Sequence, residues 1–285
     1  MDIVKKISED GSASPFGARI FPGLLIMRDQ LFLFRLHGKE YDQQRDLFDA
    51  KMGPLYQSAL ATRDAALEIN RLISEHVHDI QHRGIIRIEE NQFSIDKTID
   101  IPLHQVTDKL LDQSIVALHG LQRILKKPLG LHIGFLFQQN GEFKQGITKL
   151  RRDGEIVLAN YLVDVRTKWL WNLIGVRNAA QHEGWQLPEI VYKPTMDKAV
   201  LVTLPQIGEV RIDLFARVTA NRVLLFIENM MVHTMARNIP DGIYIIEIPK
   251  SERNPENPVR FTYGGVGLST SPRWHLQYEE DMDFV

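Results

Sequence analysis

Arg177, Asn178 and His182 fall within one short stretch, GVRNAAQHEGW, between Gly175 and Trp185. Their side chains suit the cleavage of an RNA phosphodiester without a metal. The ribose 2′-hydroxyl must lose a proton and the departing 5′-oxygen must gain one. An imidazole titrating near neutrality can take either role. Charge gathering on the phosphoryl oxygens needs a fixed cation, and a guanidinium offers paired donors at any accessible pH. One histidine fills one proton-transfer role and leaves the other to a second copy of the chain.

Spacing sets a condition on this chemistry. A helix turns about 100° per residue, so Arg177 and His182 stand about 140° apart on an unbroken helix. They converge only if the helix ends here, so that the long arginine reaches round its rim, or if a second chain completes the site. Asn178 and His182, four apart, share a face. Gly184 supplies a residue able to reverse the chain at a helix end. The plainer reading makes Arg177 and His182 last-turn cations beside the helix dipole, with Asn178 an amide of the capping region.

Arg177-Asn178-Ala179-Ala180-Gln181-His182 is an RN-x3-H sequence of the R-x4-6-H type, near the end of a helix in a helical bundle. It resembles the HEPN superfamily. The resemblance implies a bundle that dimerises so that two motifs face a shared cleft, in many members a metal-independent endoribonuclease site of toxin–antitoxin, abortive-infection and CRISPR-linked defence proteins. It implies that Arg177 and His182 are catalytic, that Asn178 orients the motif, and that neither metal nor cofactor is needed. The expected partners are RNA, a second copy of the chain and a protein antitoxin or regulator. Glu183-Gly184 follow His182, so the tyrosine that some toxin members carry two places on, for modification by a nucleotidyltransferase antitoxin, is missing. The alternative is an inactive HEPN-like scaffold or nucleotide-binding subunit acting through a partner.

Between Arg123 and Arg152 seven basic residues face one acid, Glu142, in a chain whose net charge is -2. Lys126, Lys127, Lys149, Arg151 and Arg152 are the candidates for tracking an RNA backbone, in a salt-sensitive way. The bland reading of the same residues is two solvated turns. His76, His78 and His82 crowd the stretch HVHDIQH. His78 and His82, four apart, have a spacing that can bind zinc, and a metal-dependent hydrolase centred on them is a third, weaker reading of function. With no HExxH pattern and no further ligand, a polar helix end is the better account. Glu68 is a polar break on an apolar face that could reach Arg177, although a surface position fits it better. Trp169 and Trp171 read as core or interface aromatics rather than base-stacking platforms. Gly264-Gly265-Val266-Gly267 lacks the lysine of a phosphate loop and reads as a turn between late strands.

These residues must be positioned by a chain of 285 residues, 44% hydrophobic and 25% charged, the balance of a globular protein with room for a substantial core. The absence of cysteine excludes disulfides and thiolate metal sites. The apolar runs are too short to span a bilayer, and the N-terminal stretch lacks the apolar core of a signal peptide, so a cytoplasmic protein with no membrane partner is expected.

Periodicity predicts a helical stretch over 41–83, divided at Gly53-Pro54, then a small strand pair over 85–95. Helices follow over 102–127, 154–181 and 221–237, the one over 154–181 with an apolar face containing Ile156, Leu162, Trp169, Leu170, Leu173 and Ile174. Strands are expected over 199–204, 210–215, 242–248, 259–263 and 274–278, with an N-terminal hairpin over 24–35. The expected class is α+β: a HEPN-like α-helical bundle at 41–240 with small β insertions, preceded by a lead-in and hairpin at 1–40 and followed by a β-rich appendage at 241–285.

Overall fold

A computed structural model describes residues 39–83, 85–89, 92–127, 129–195, 199–238, 243–255 and 258–265. The expected hairpin at 24–35 and the strand at 274–278 lie outside the described residues. The first apolar stretch forms one helix, α1 (Lys39–His82), with Pro54 inside it. The expected division at Gly53-Pro54 is therefore corrected. Ala50 and Pro54 are both exposed, so the carbonyl that loses its proline partner lies on the solvent side and can be hydrated. Met52, Leu55, Tyr56 and Ala59 on the other face are buried and hold the helix together across the proline.

The antiparallel pair β1 (Ile86–Glu89) and β2 (Gln92–Ile95) leads to α2 (Asp100–Lys126). Leu103, Leu110, Leu111, Leu118, Leu121 and Leu125 form its buried stripe. A side chain at Gly120 would meet the Leu55 backbone at 3.5 Å, which shows how closely α1 and α2 pack there. A short 3-10 turn, Gly134–Phe137, then opens onto α3 (Asn140–Arg152). This helix corrects the bland reading of the region as two solvated turns: Phe143, Ile147 and Leu150 lie four and three apart and are buried, while Lys144, Lys149, Arg151 and Arg152 are exposed.

The third expected helix comprises α4 (Ile156–Val165), a single π turn (Arg166–Leu170) and α5 (Trp171–His182). Ile156, expected on the apolar face, is 57% exposed. Arg166 explains why the π turn holds. Its side chain is buried and donates to the carbonyls of Leu136 and Gln138, the latter at 2.8 Å, and to Asn140 Oδ1 at 3.3 Å. Its guanidinium carbon also stands 4.4 Å from the Phe143 ring centre and 4.0 Å from that of Trp171. One cation thus ties the 3-10 turn and α3 to the junction from which α5 departs.

Beyond α5, β3 (Val191–Pro194) pairs with β4 (Val200–Thr203), and β5 (Gln206–Ile207) with β6 (Val210–Arg211). The expected strand at 210–215 stops at Arg211, because Ile212, Phe215 and Ala216 are buried on the first turns of α6 (Ile212–Ala236). Every residue of α6 from Val223 to Val232 is buried, the mark of a helix at the centre of a fold. It packs against α1 and α2, while Trp169 meets the Phe226 ring edge-on at 6.1 Å.

The pair β7 (Ile243–Glu247) and β8 (Phe261–Gly265) closes the described chain. Gly264 and Gly265 lie within β8, where a turn was expected. Arg260, 2% exposed, joins this hairpin to α6 by donating to Glu228 at 2.9 Å, Asn229 at 3.3 Å and Glu247 at 2.7 Å. Helices dominate, and the four sheets among the described residues are small and antiparallel, so the class is α+β. Among the described residues no helix is long and apolar enough to cross a membrane.

Candidate functional site

The RN-x3-H stretch occupies the last two turns of α5, which runs antiparallel to α2. Asp112 on α2 fixes their relative position. Arg177 Nε donates to Asp112 Oδ1 at 3.3 Å, and Gln181 Nε2, one turn further on, donates to the same oxygen. Arg177 Nη1 points toward Asn178 Oδ1 at 3.5 Å, a weak contact. Arg177 is half-buried, whereas Asn178, Gln181 and His182 are exposed. No side-chain hydrogen bond or ion pair engages His182 among the described residues.

α5 ends as its sequence predicts. Gly184 takes a left-handed conformation (φ 67°), and the N–H groups of Glu183 and Trp185 both donate to the Ala179 carbonyl, at 3.0 and 3.2 Å. The following segment is then fastened to the start of α2. Leu187 N–H donates to His104 Nδ1 at 3.2 Å, and Ile190 N–H to Asp100 Oδ1 at 2.8 Å. Tyr192 reaches α1, its hydroxyl 2.7 Å from His76 Nε2. Burial, with Asp100 nearby, pushes the Tyr192 phenol up to about 12, and burial lowers the His76 pKa against the pull of Asp100. The neutral forms of both are thereby favoured, as their shared hydrogen bond requires.

Helical geometry continues through His182, so within one chain Arg177 and His182 diverge by about 140°. Arg177 is turned toward Asp112 rather than round the helix end. Of the twelve residues of α5 only Leu173 is fully buried; Ile174, Val176 and Ala180 are half-buried against the core, and Asn178, Gln181 and His182 are exposed at its end.

The basic candidates lie elsewhere. Lys126 and Lys127 are exposed at the C-terminal end of α2, and Lys126 is about 21 Å along that helix from Asp112. Arg151 donates to Asn160 Oδ1 at 3.1 Å, and Asn160, midway along α4, lies about 25 Å along the α4–α5 rod from Arg177. Arg152 lies 3.7 Å from Asp153, and Lys149 lines a cavity of about 380 Å³ shared with Glu142, Asp153 and Arg237. Arg177, Asn178 and His182 thus share one helix end, and the five basic residues gather near the other end of the rod.

The remaining candidates resolve individually. His76 is buried against Tyr192, and its ring lies edge-on to the tyrosine ring. His78 and His82 stack at 4.4 Å, His82 Nδ1 lies 3.1 Å from the His78 carbonyl oxygen, and Asp79 pairs with Arg83 at 3.2 Å. Among the described residues no group of three His, Asp or Glu could hold a metal. Glu68 accepts from Arg71 Nη2 at 2.5 Å and Nε at 2.7 Å, and this bonding lowers its pKa. The acid on Arg177 is therefore Asp112, which the sequence reading missed. Its place on α2 was legible, but no local pattern signals a pairing across 65 residues. Trp169 is buried in the core, whereas Trp171 is 40% exposed beneath Arg166. No family model, curated protein or solved structure matches this chain.

Proposed function

We propose that the chain is a metal-independent endoribonuclease of HEPN type that works as a dimer. The observation that carries this reading is the end of α5, where a carboxylate-fixed Arg177, with Asn178 beside it, is followed one turn later by an exposed His182. In the reaction, the 2′-hydroxyl oxygen attacks phosphorus and the bond to the 5′-oxygen breaks, leaving a 2′,3′-cyclic phosphate and a free 5′-hydroxyl. His182 takes the proton from the nucleophile or gives one to the leaving oxygen, and His182 of a second copy performs the complementary transfer. Arg177 stabilises charge on the phosphoryl oxygens, and Asp112 sets the plane of its guanidinium. The divergence of Arg177 and His182 on a regular helix favours completion by a second copy, which can approach on the exposed side of α5 that carries Asn178, Gln181 and His182.

Purified protein incubated with mixed RNA in EDTA should produce fragments ending in 2′,3′-cyclic phosphate. His182→Ala should lower the rate by about 10²–10⁴ while the circular dichroism spectrum is unchanged. RNA left intact over a wide range of salt and substrates, or cleavage that survives the substitution, would refute the proposal. Cleavage lost in EDTA and restored by zinc would point to metal chemistry instead.

A second reading is favoured by the same carboxylate. Asp112 already neutralises Arg177, as suits a HEPN-like scaffold or nucleotide-binding subunit that acts through a partner. Binding of RNA or nucleotide without cleavage by any preparation would select it.

A further inference from the structure

A cavity of about 270 Å³ lies where the π turn and the first turn of α5 face β6 and the start of α6. Trp169, Leu173 and Phe215 give it apolar walls, all three being buried residues. Its charged lining is cationic: Lys168 from the π turn and Arg222 from α6, with no Asp or Glu among the lining residues. Lys168 is held by Asp164 at 3.3 Å, with both side chains about half exposed. Arg222 differs, because its Nε is buried and has no hydrogen-bond partner among the described residues.

Each feature points to the same kind of occupant. The cavity presents two cations, Lys168 and Arg222, and no acid to an occupant. A carboxylate or phosphate meets them with favourable charge. The walls, in turn, suit an apolar body of modest size: the volume is near the lower end for ligand sites and too small for a peptide. A π turn inside an α-helix frequently accompanies a functional site, and this one contributes both Lys168 and Trp169 to the lining.

We propose that this cavity binds a small organic anion, its planar apolar body packed among Trp169, Leu173 and Phe215 and its anionic head accepting from Arg222. This site is independent of the reaction assigned to Arg177 and His182.

The test uses the full chain, isothermal titration calorimetry and three probes sharing one ring system: 2-naphthoate, 2-naphthyl phosphate and the neutral 2-naphthamide. At least one of the two anions should bind about tenfold or more tightly than the amide, and the tighter one identifies the head group. Arg222→Met should remove that preference while leaving the melting temperature unchanged or higher, since it deletes an unmatched buried donor. Val218→Phe, which narrows the cavity and keeps both cations, should weaken all three probes. Binding by neither anion, equal binding of anion and amide, or an unchanged preference in Arg222→Met would overturn the proposal. So would a large loss of stability in Arg222→Met, which would make the arginine a structural group.

Discussion

Replacing Arg166 by methionine tests the junction that sets the direction of α5. Methionine keeps the stem's apolar contacts and removes the guanidinium. The Leu136 carbonyl, in a buried residue, would be left without its donor, at a cost of about 1–3 kcal/mol. Gln138 and Asn140 are exposed and can regain water, so their loss adds only about 1 kcal/mol together. The contacts with the Phe143 and Trp171 rings contribute roughly 0.5–2 kcal/mol each. Relief of the buried charge offsets part of the sum, and no carboxylate pairs with Arg166 among the described residues. A net loss of about 3 kcal/mol follows, which in a chain this size lowers the melting temperature by roughly 6–10 °C. Urea denaturation followed by tryptophan fluorescence measures it. Arg166→Lys should recover less than half, because a single ammonium cannot bond two carbonyls while lying flat on two rings. A loss below about 1 kcal/mol in the methionine variant, or full recovery by lysine, would show that the Arg166 guanidinium does not hold this junction.

Three other outcomes are expected. Burial, and then Arg237, lower the His233 pKa to about 4; Glu155 lies 3.6 Å from its Nε2 but accepts from Arg237 at 2.7 Å. The unfolded chain, with its histidine near 6.5, therefore binds more protons between pH 4 and 6.5. The His233 contribution should be complete above pH 6.5 and decline as pH falls toward 4, by about 3 kcal/mol in all. Denaturation of His233→Gln across that window should show a shallower slope, and an identical slope would discount the histidine. In Gly146→Ala the new methyl would meet the Phe135 ring at 2.2 Å, so overpacking should cost about 1–3 kcal/mol despite alanine's better helix propensity; a stabilised variant in the same urea assay would contradict the close approach. Arg260→Met should remove the cation that stands 2.9 Å from the buried Glu228 carboxylate and cost about 3–5 kcal/mol, whereas Arg260→Met combined with Glu228→Gln should recover much of it. Calorimetric melting of the single and double variants decides this, and purely additive losses would deny the coupling.

Local pattern was sufficient for much of this protein. The apolar period of 3.6 marked α2, α5 and most of α1 and α6; alternation marked the first strand pair; and glycine at 184 marked the end of the helix bearing Arg177 and His182. Each of these is decided by neighbours within a few turns. The failures share a different cause. Pro54 sits inside α1 because burial on the opposite face outweighs one missing hydrogen bond. Residues 212–215 begin a helix because Ile212 and Phe215 have a core to enter, although their β-branched and aromatic types also suit a strand. The spacing of Phe143, Ile147 and Leu150 marks α3, but with only three apolar positions amid dense positive charge the stretch reads equally as an RNA-tracking segment or as solvated turns.

At the candidate site the division is sharper. The sequence determined which groups stand at the end of α5 and the angle between them, because helical geometry is local. Packing alone set Asp112 against Arg177, placed Lys126 about 21 Å along α2 from Asp112, and brought Arg166 and Arg222 to the surroundings of the π turn. Those relations join residues far apart in the chain, where packing and electrostatics select partners that no short pattern can specify.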